Sequence, residues 1–322
     1  MLITGSSGHL GEALIRVLRA AGHEVVGLDR VPSPFTDVIG SVTDAAVVRD
    51  CLRDMETVVH AATLHKPHVG THSKESFVDV NVRGTLVLLE QAVAAGVGRF
   101  VFTSTTSAFG RALSPAPGQP AAWITEAVTS EPKNIYGMTK VSAEDLCSLF
   151  AHEARLPCVV LRTSRFFPEG DDQDDVRSSY DDANLKLNEL LYRRVDLQDV
   201  VQAHVLAVER APEIGFGRFI ISATTPFDAA DRADLRRAAP AVVHRYFPQY
   251  EAVFEARGWR MFPSIDRVYV NDRARSELGW EPQFTFGHAL RELASGRSWQ
   301  SELALTVRAK GYHAGPTGVY TS

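Results

Sequence analysis

Tyr136 and Lys140 stand four residues apart in Tyr136-Gly-Met-Thr-Lys140, so a helix would carry both side chains on one face. An ammonium beside a phenol favours the phenolate, lowering a pKa that starts near about 10 and making the tyrosine a usable proton acceptor or donor at neutral pH. Near the N-terminus, Thr4-Gly5-Ser-Ser-Gly8-His-Leu-Gly11 spaces three glycines as Gly-x-x-Gly-x-x-Gly after a short apolar run. Such a turn lets backbone approach a pyrophosphate and seats its charge on a helix N-terminus. Asp29 follows 21 residues after Gly8, where a carboxylate accepts hydrogen bonds from the adenosine ribose and repels a 2′-phosphate. These groups together imply hydride transfer with a nicotinamide dinucleotide, NAD being favoured over NADP; the neighbouring Arg30 is the residue that could partly rescue NADP.

Those side chains need a scaffold, and the hydrophobic pattern supplies one. Short apolar runs at Leu2–Thr4, Glu24–Leu28, Thr57–His60, Arg99–Ser104, Cys158–Arg162 and Arg218–Ser222 alternate with amphipathic patterns at Leu10–Ala21, Lys74–Ala95 and Ile135 to about Ala154. Alternation of this kind predicts βαβ units and a Rossmann-type, doubly wound parallel sheet in an α/β protein. Beyond about residue 165 the alternation fails, and the acidic stretch Glu169-Gly-Asp-Asp-Gln-Asp-Asp175 reads as a loop, either a solvated surface turn or a flap over substrate. The expected organisation is a dinucleotide-binding domain over residues 1–164, with 195–221 returning to it. A smaller substrate-binding part takes 165–194 and 222–295, and 296–322 form a tail.

Bulk properties exclude other classes. With 322 residues, 45% hydrophobic content and a net charge of -5, the chain has a large core and no basic surface for nucleic acid or an anionic membrane. Cys51, Cys147 and Cys158 are odd in number and far apart, which indicates reduced thiols rather than a disulfide framework or a zinc site. No signal peptide and no membrane span are visible, so a cytoplasmic location is expected. His65, His68 and His72 lack a fourth ligand and read as substrate-loop or surface histidines; no metal is expected.

The chain resembles the extended short-chain dehydrogenase/reductase superfamily, in particular the NAD-dependent epimerase/dehydratase family. The resemblance rests on Thr4–Gly11, Val58-Val-His-Ala-Ala62, Asn81-Val-Arg-Gly-Thr85, Phe100-Val-Phe-Thr-Ser-Thr105, Tyr136–Lys140, Leu161-Arg162, Asp199-Val200 and Leu278-Gly-Trp280. It implies Tyr136 as general base or acid, Lys140 as the residue that lowers its pKa and holds the nicotinamide ribose, and Thr105, with Ser104 as fallback, as the hydroxyl on the reacting oxygen. It places the cofactor against Gly5, Ser7, Gly8, His9, Leu10, Gly11, Asp29, Arg30, Ser41, Val42, Ala61, Ala62, Asn81 and Thr103, besides Tyr136 and Lys140. It also implies a homodimer joined through the helices at about 75–95 and 136–154.

Departures from the family pattern narrow the chemistry. Ser41 stands where relatives carry an adenine-contacting aspartate, and Thr106-Ser107 replaces the acidic pair that elimination needs. The 24 residues from Asp171 to Arg194 are short for a nucleotide pocket, and Arg165 replaces a family asparagine. Phe166-Phe167-Pro168-Glu169 is similar to short relatives that oxidise free sugar acids. Arg165, Arg193 and Arg194 would then face a substrate carboxylate or phosphate, or pair with the acidic loop. The leading expectation is an NAD-dependent oxidoreductase acting on a hydroxyl-bearing carbon of a sugar or sugar acid. Its rivals are a nucleotide-sugar 4-epimerase with retained NAD and a non-catalytic NAD sensor.

Overall fold

The computed structural model describes residues 1–170 and 178–310, so the acidic run Asp171 to Asp175 and the end of the tail lie outside the described residues. Seven strands build one sheet: β1 (Leu2–Thr4), β2 (Val26–Asp29), β3 (Val38–Ile39), β4 (Thr57–His60), β5 (Arg99–Thr105), β7 (Cys158–Thr163) and β8 (Phe216–Ile221), in the order β3-β2-β1-β4-β5-β7-β8. Every pairing is parallel. Helices cover both faces, which is why β1, β4, β5 and β7 are apolar almost throughout and Leu2, Ile3, Val58, Phe100, Val101 and Val159 are buried. The order reverses between β1 and β4, leaving a crevice at their C-terminal ends; the doubly wound parallel sheet anticipated from the pattern is the fold.

Boundaries and small elements differ from the expectation. The second strand starts at Val26 rather than Glu24, and β3 was not anticipated. Neither was a separate two-stranded sheet of β6 (Ala122–Ile124) and β9 (Arg267–Tyr269). Runs of two or three residues are too short to show a period, and long-range register holds them.

The helix expected over Lys74–Ala95 is three joined pieces: α3 (Lys74–Phe77), a π-helical turn (Val78–Arg83) and α4 (Gly84–Ala94). The wide turn carries Asn81, and such turns gather at functional positions. α1 (His9–Ala20) buries Leu10, Leu14 and Leu18; α5 (Ile135–Glu153) is capped by Asn134, whose side chain accepts from Gly137 N at 3.0 Å.

Residues beyond 178 build a second core from α6 (Asp182–Glu189) and, after α7 (Leu197–Ile214), α8 (Arg232–Tyr246). It contains Leu185, Leu187, Leu235, Val242, Phe254, Val268 and Phe286. α7 itself packs on the main sheet through Val200, Val201 and Ala207. The Asp199-Val200 and Leu278-Gly-Trp280 segments meet here: Trp280 Nε1 donates to Asp199 O at 2.9 Å, and the Asp199 carboxylate accepts from Gln283 N and Phe284 N. Among the described residues no helix is long and apolar enough to cross a membrane.

Candidate active site

The chain leaves β1 through Gly5 at φ +75°, where an added Cβ would lie 2.8 Å from Ala62 N. A Cβ on Gly11 would come within 2.0 Å of Gly5 O, so α1 begins closer to the turn than any other residue permits. The first amides of α1, those of His9, Leu10 and Gly11, have no partner earlier in the helix, and these three residues border the cavity, a setting that suits an anion. Asp29 ends β2 and accepts from Ser7 N at 3.1 Å and Val31 N at 3.0 Å, while Arg30 is exposed. Backbone fit, helix N-terminus and acid together suit a dinucleotide. Ser41 bonds Thr43 Oγ1, and Val42 is buried against Gly84, so both sit beside α4.

Behind this turn a buried relay ties β1 and β4 to the start of α4. Thr85 Oγ1 donates to Asn81 O at 2.7 Å, so it accepts from His60 Nε2–H at 3.0 Å. His60 Nδ1 then accepts from Thr4 Oγ1 at 2.7 Å, and Thr4 accepts from Ala62 N. Burial, aided by the Lys140 charge, drives the His60 pKa down to about 3 and keeps this neutral tautomer.

Asn81, expected beside the cofactor, is spent elsewhere. Its Nδ2 donates to Leu64 O and Thr139 Oγ1, and its Oδ1 accepts from Leu64 N at 2.7 Å. It ties the loop after β4 to α5 and does not line the cavity.

Tyr136 and Thr105 line one cavity of about 830 Å³ together with the glycine turn, Ala61, Thr103 and His65. Thr105 Oγ1 accepts from Ser107 N at 3.1 Å, which leaves its one proton to donate into the cavity beside Tyr136. Burial pushes Tyr136 up to about 12, against the pull of Thr105. The ammonium of Lys140, the residue expected to lower that pKa, is buried, donates to Thr103 O at 2.6 Å and lies 4.0 Å from the Phe102 ring centroid. Burial brings Lys140 itself down to about 7, opposed by the Glu144 charge. The Thr103 hydroxyl faces His204 Nε2 at 2.8 Å.

Ser104, the fallback hydroxyl, borders the cavity but donates its one proton to Glu144 Oε1 at 2.5 Å, which leaves it only acceptor lone pairs for another partner. Glu144 was missed in the sequence, although Tyr136, Lys140 and Glu144 continue one four-residue spacing along α5. Fully buried, it also takes Arg162 through Nε and Nη2 and Arg218 through Nε. That explains the arginine of Leu161-Arg162: it neutralises the acid beneath the catalytic pair.

Arg165, Arg193 and Arg194 all border the cavity and converge on one buried acid, Glu189, at 2.8, 2.8 and 2.7 Å. Glu189 was not singled out from sequence, because nothing in Asn-Glu-Leu marks it as the hub of residues 24 positions apart. Of the three histidines, His65 reaches the cavity with its ring 6.4 Å from that of Tyr136, while His68 Nδ1 accepts from His65 N. Among the described residues no cluster of three metal-ligating side chains occurs.

Residues 1–218 match the model of the NAD dependent epimerase/dehydratase family. The chain belongs to that family. A 3-beta-hydroxysteroid dehydrogenase of Mycolicibacterium neoaurum is 26% identical, the match covering 91% of this chain and 89% of the enzyme. A UDP-glucose 4-epimerase of Rhizobium leguminosarum bv. trifolii is likewise 26% identical, over 90% and 95%. The structure of a short-chain dehydrogenase/reductase superfamily protein from Agrobacterium tumefaciens with bound NAD superposes with a TM-score of 0.65 at 25% identity, covering 91% and 95% of the two chains. This is therefore an enzyme of the epimerase/dehydratase family with NAD as its cofactor.

Membership gives Asp29 a measurable consequence. Asp29→Ser removes a charged acceptor worth about 1.5–3 kcal/mol, so NAD binding should weaken about tenfold or more while NADP binding does not. Titration of both cofactors checks this; an unchanged ratio of the two Kd values would remove Asp29 from the ribose site.

Proposed function

We propose that this enzyme is an NAD-dependent dehydrogenase of an anionic sugar or sugar acid. The observation that carries the reading is the charge of the cavity wall: among the described lining residues the cations Lys66, Lys133, Arg165, Arg193, Arg194, Arg236 and Arg267 outnumber the acids Glu169 and Asp266, even with Glu189 counted behind Arg165, Arg193 and Arg194. Hydroxyls of Thr105, Ser107, Ser114 and Tyr269 lie between them. A neutral, rigid apolar ring system would lie against charged groups it cannot hydrogen-bond, whereas a polyhydroxylated anion can engage both the cations and the hydroxyls. The second core, with the 178–194 segment, is in this reading the substrate-binding part.

Bound NAD supplies the hydride acceptor. Tyr136 takes the substrate hydroxyl proton as the carbon is oxidised, or returns it in reduction, and the Thr105 hydroxyl donates its one proton to the same oxygen. Lys140 is anchored on Thr103 O beside the site, and the Glu144 charge opposes the burial that lowers its pKa. The exposed Val78, Met138 and Leu149 on the α3–α4 and α5 faces support a homodimer; light scattering that returns the monomer mass would reject it.

The deciding experiment incubates purified enzyme with NAD and a panel of uronic acids, sugar phosphates, neutral aldoses, nucleotide sugars and 3β-hydroxysteroids, following NADH and isomer formation together. Net NADH with charged sugars supports the proposal. Isomer without NADH makes it a 4-epimerase, steroid oxidation overturns the charge argument, and silence across the panel with NAD bound returns it to a sensor.

A further inference from the structure

The first turn of α1 holds a conflict. Its free amides are the seat for a pyrophosphate, yet the same turn carries Glu12, whose side chain is only 6% exposed. A carboxylate there opposes the phosphate charge and the favourable helix dipole. Arg16, one turn on, pairs with Glu12 through Nε at 2.7 Å. The second partner comes from the far end of the chain: Lys310 Nζ contacts Glu12 Oε2.

The route by which Lys310 arrives is built. Ser301 N donates to Asp196 Oδ2 at 3.1 Å, α11 (Glu302–Val307) starts on the Ser301 cap, and Val307 is buried in the same core as Leu10 and Leu14 of α1. The chain then turns at Arg308 with φ 55°, a left-handed conformation unusual for a residue with a Cβ. That turn directs the Arg308 carbonyl at the cofactor loop, where it accepts from His9 Nδ1–H at 2.9 Å. His9 borders the cavity as the first residue of α1.

We propose that Lys310 is a cofactor-affinity residue, contributed by the C-terminal segment, that neutralises Glu12 beside the pyrophosphate seat while the Arg308 carbonyl orients His9. The inference rests on NAD occupying the glycine turn. It gives the otherwise featureless tail a task in the Rossmann half of the molecule, and it makes NAD affinity depend on residues almost 300 positions from the glycine motif. A charge near a helix N-terminus in a partly buried setting changes affinity by about 3- to 10-fold.

The test is a double-mutant cycle in the full-length chain with NAD titrated calorimetrically at low and at high salt. Lys310→Ala should raise the Kd for NAD about 3- to 10-fold at low salt and less at high salt. In the Glu12→Gln background the same replacement should change Kd by less than about twofold, because no charge remains to be offset. Lys310→Arg, which keeps the charge, should bind as the wild type does. An unchanged Kd in Lys310→Ala, or an equal loss in both backgrounds, overturns the proposal. A wild-type chain that binds no NAD overturns the cofactor assignment along with it.

Discussion

Replacing Tyr136 with phenylalanine is expected to lower kcat by about 10²- to 10⁴-fold while NAD affinity stays within about twofold. The ring keeps its place against His65 and the cavity wall, and only the proton-transferring oxygen is lost. The pH profile of the wild type carries the same idea further. Burial holds the phenol up at about 12, so it is protonated through the neutral range and suited to donating to the oxygen formed in carbonyl reduction. Oxidation needs the ionised form, whose fraction rises with pH. The oxidative rate should therefore climb steadily on the alkaline side, whereas the reductive rate stays level until the phenol begins to ionise. Single-turnover rates in both directions check this; an oxidative rate flat between about pH 7 and 10, with chemistry limiting, would falsify Tyr136 as the base.

The parts of the site that were legible in the sequence are those in which local geometry and chemistry coincide. The glycine turn needs backbone that only glycine permits, and Tyr136 with Lys140 needs one helix face, so spacing along the chain reports both. Charge partners were not legible, because burial decides them. The four-residue spacing places Lys140 beside Tyr136, but neither its hydrogen bond to Thr103 O nor the burial that lowers its own pKa can be read from spacing. Asn81 and Ser104 have the right residue types at the right positions, but their hydrogen bonds go to Leu64, Thr139 and Glu144. Each of those partners lies on another element, between 17 and 58 residues away. The same holds for β6 and β9, which pair across more than a hundred residues, and for Lys310, which reads as an ordinary tail lysine until folding places it on α1.

Glu189→Gln should be the most destabilising single replacement of a polar group on the substrate side. Three guanidiniums, those of Arg165, Arg193 and Arg194, meet this one buried carboxylate, and Arg194 is itself almost wholly buried. Removing the negative charge leaves positive groups in low dielectric with a neutral acceptor, a change that costs about 3–5 kcal/mol in buried pairs. Burial alone would push the Glu189 pKa up, but the arginines outweigh it and hold the carboxyl well below the usual carboxylate range. A depressed folded-state pKa means that the ionised form stabilises the native state above the unfolded pKa near about 4.3, and that this contribution fades as pH falls through the folded value. Wild type and Glu189→Gln should thus differ most in denaturant midpoint at neutral pH and converge under strong acid. A difference that persists undiminished at low pH would show that the loss comes from packing rather than charge. Because the same arginines border the cavity and lose their counter-charge, affinity for an anionic substrate should change more than affinity for NAD in the surviving folded variant, which ties the stability of this wall to the specificity proposed for it.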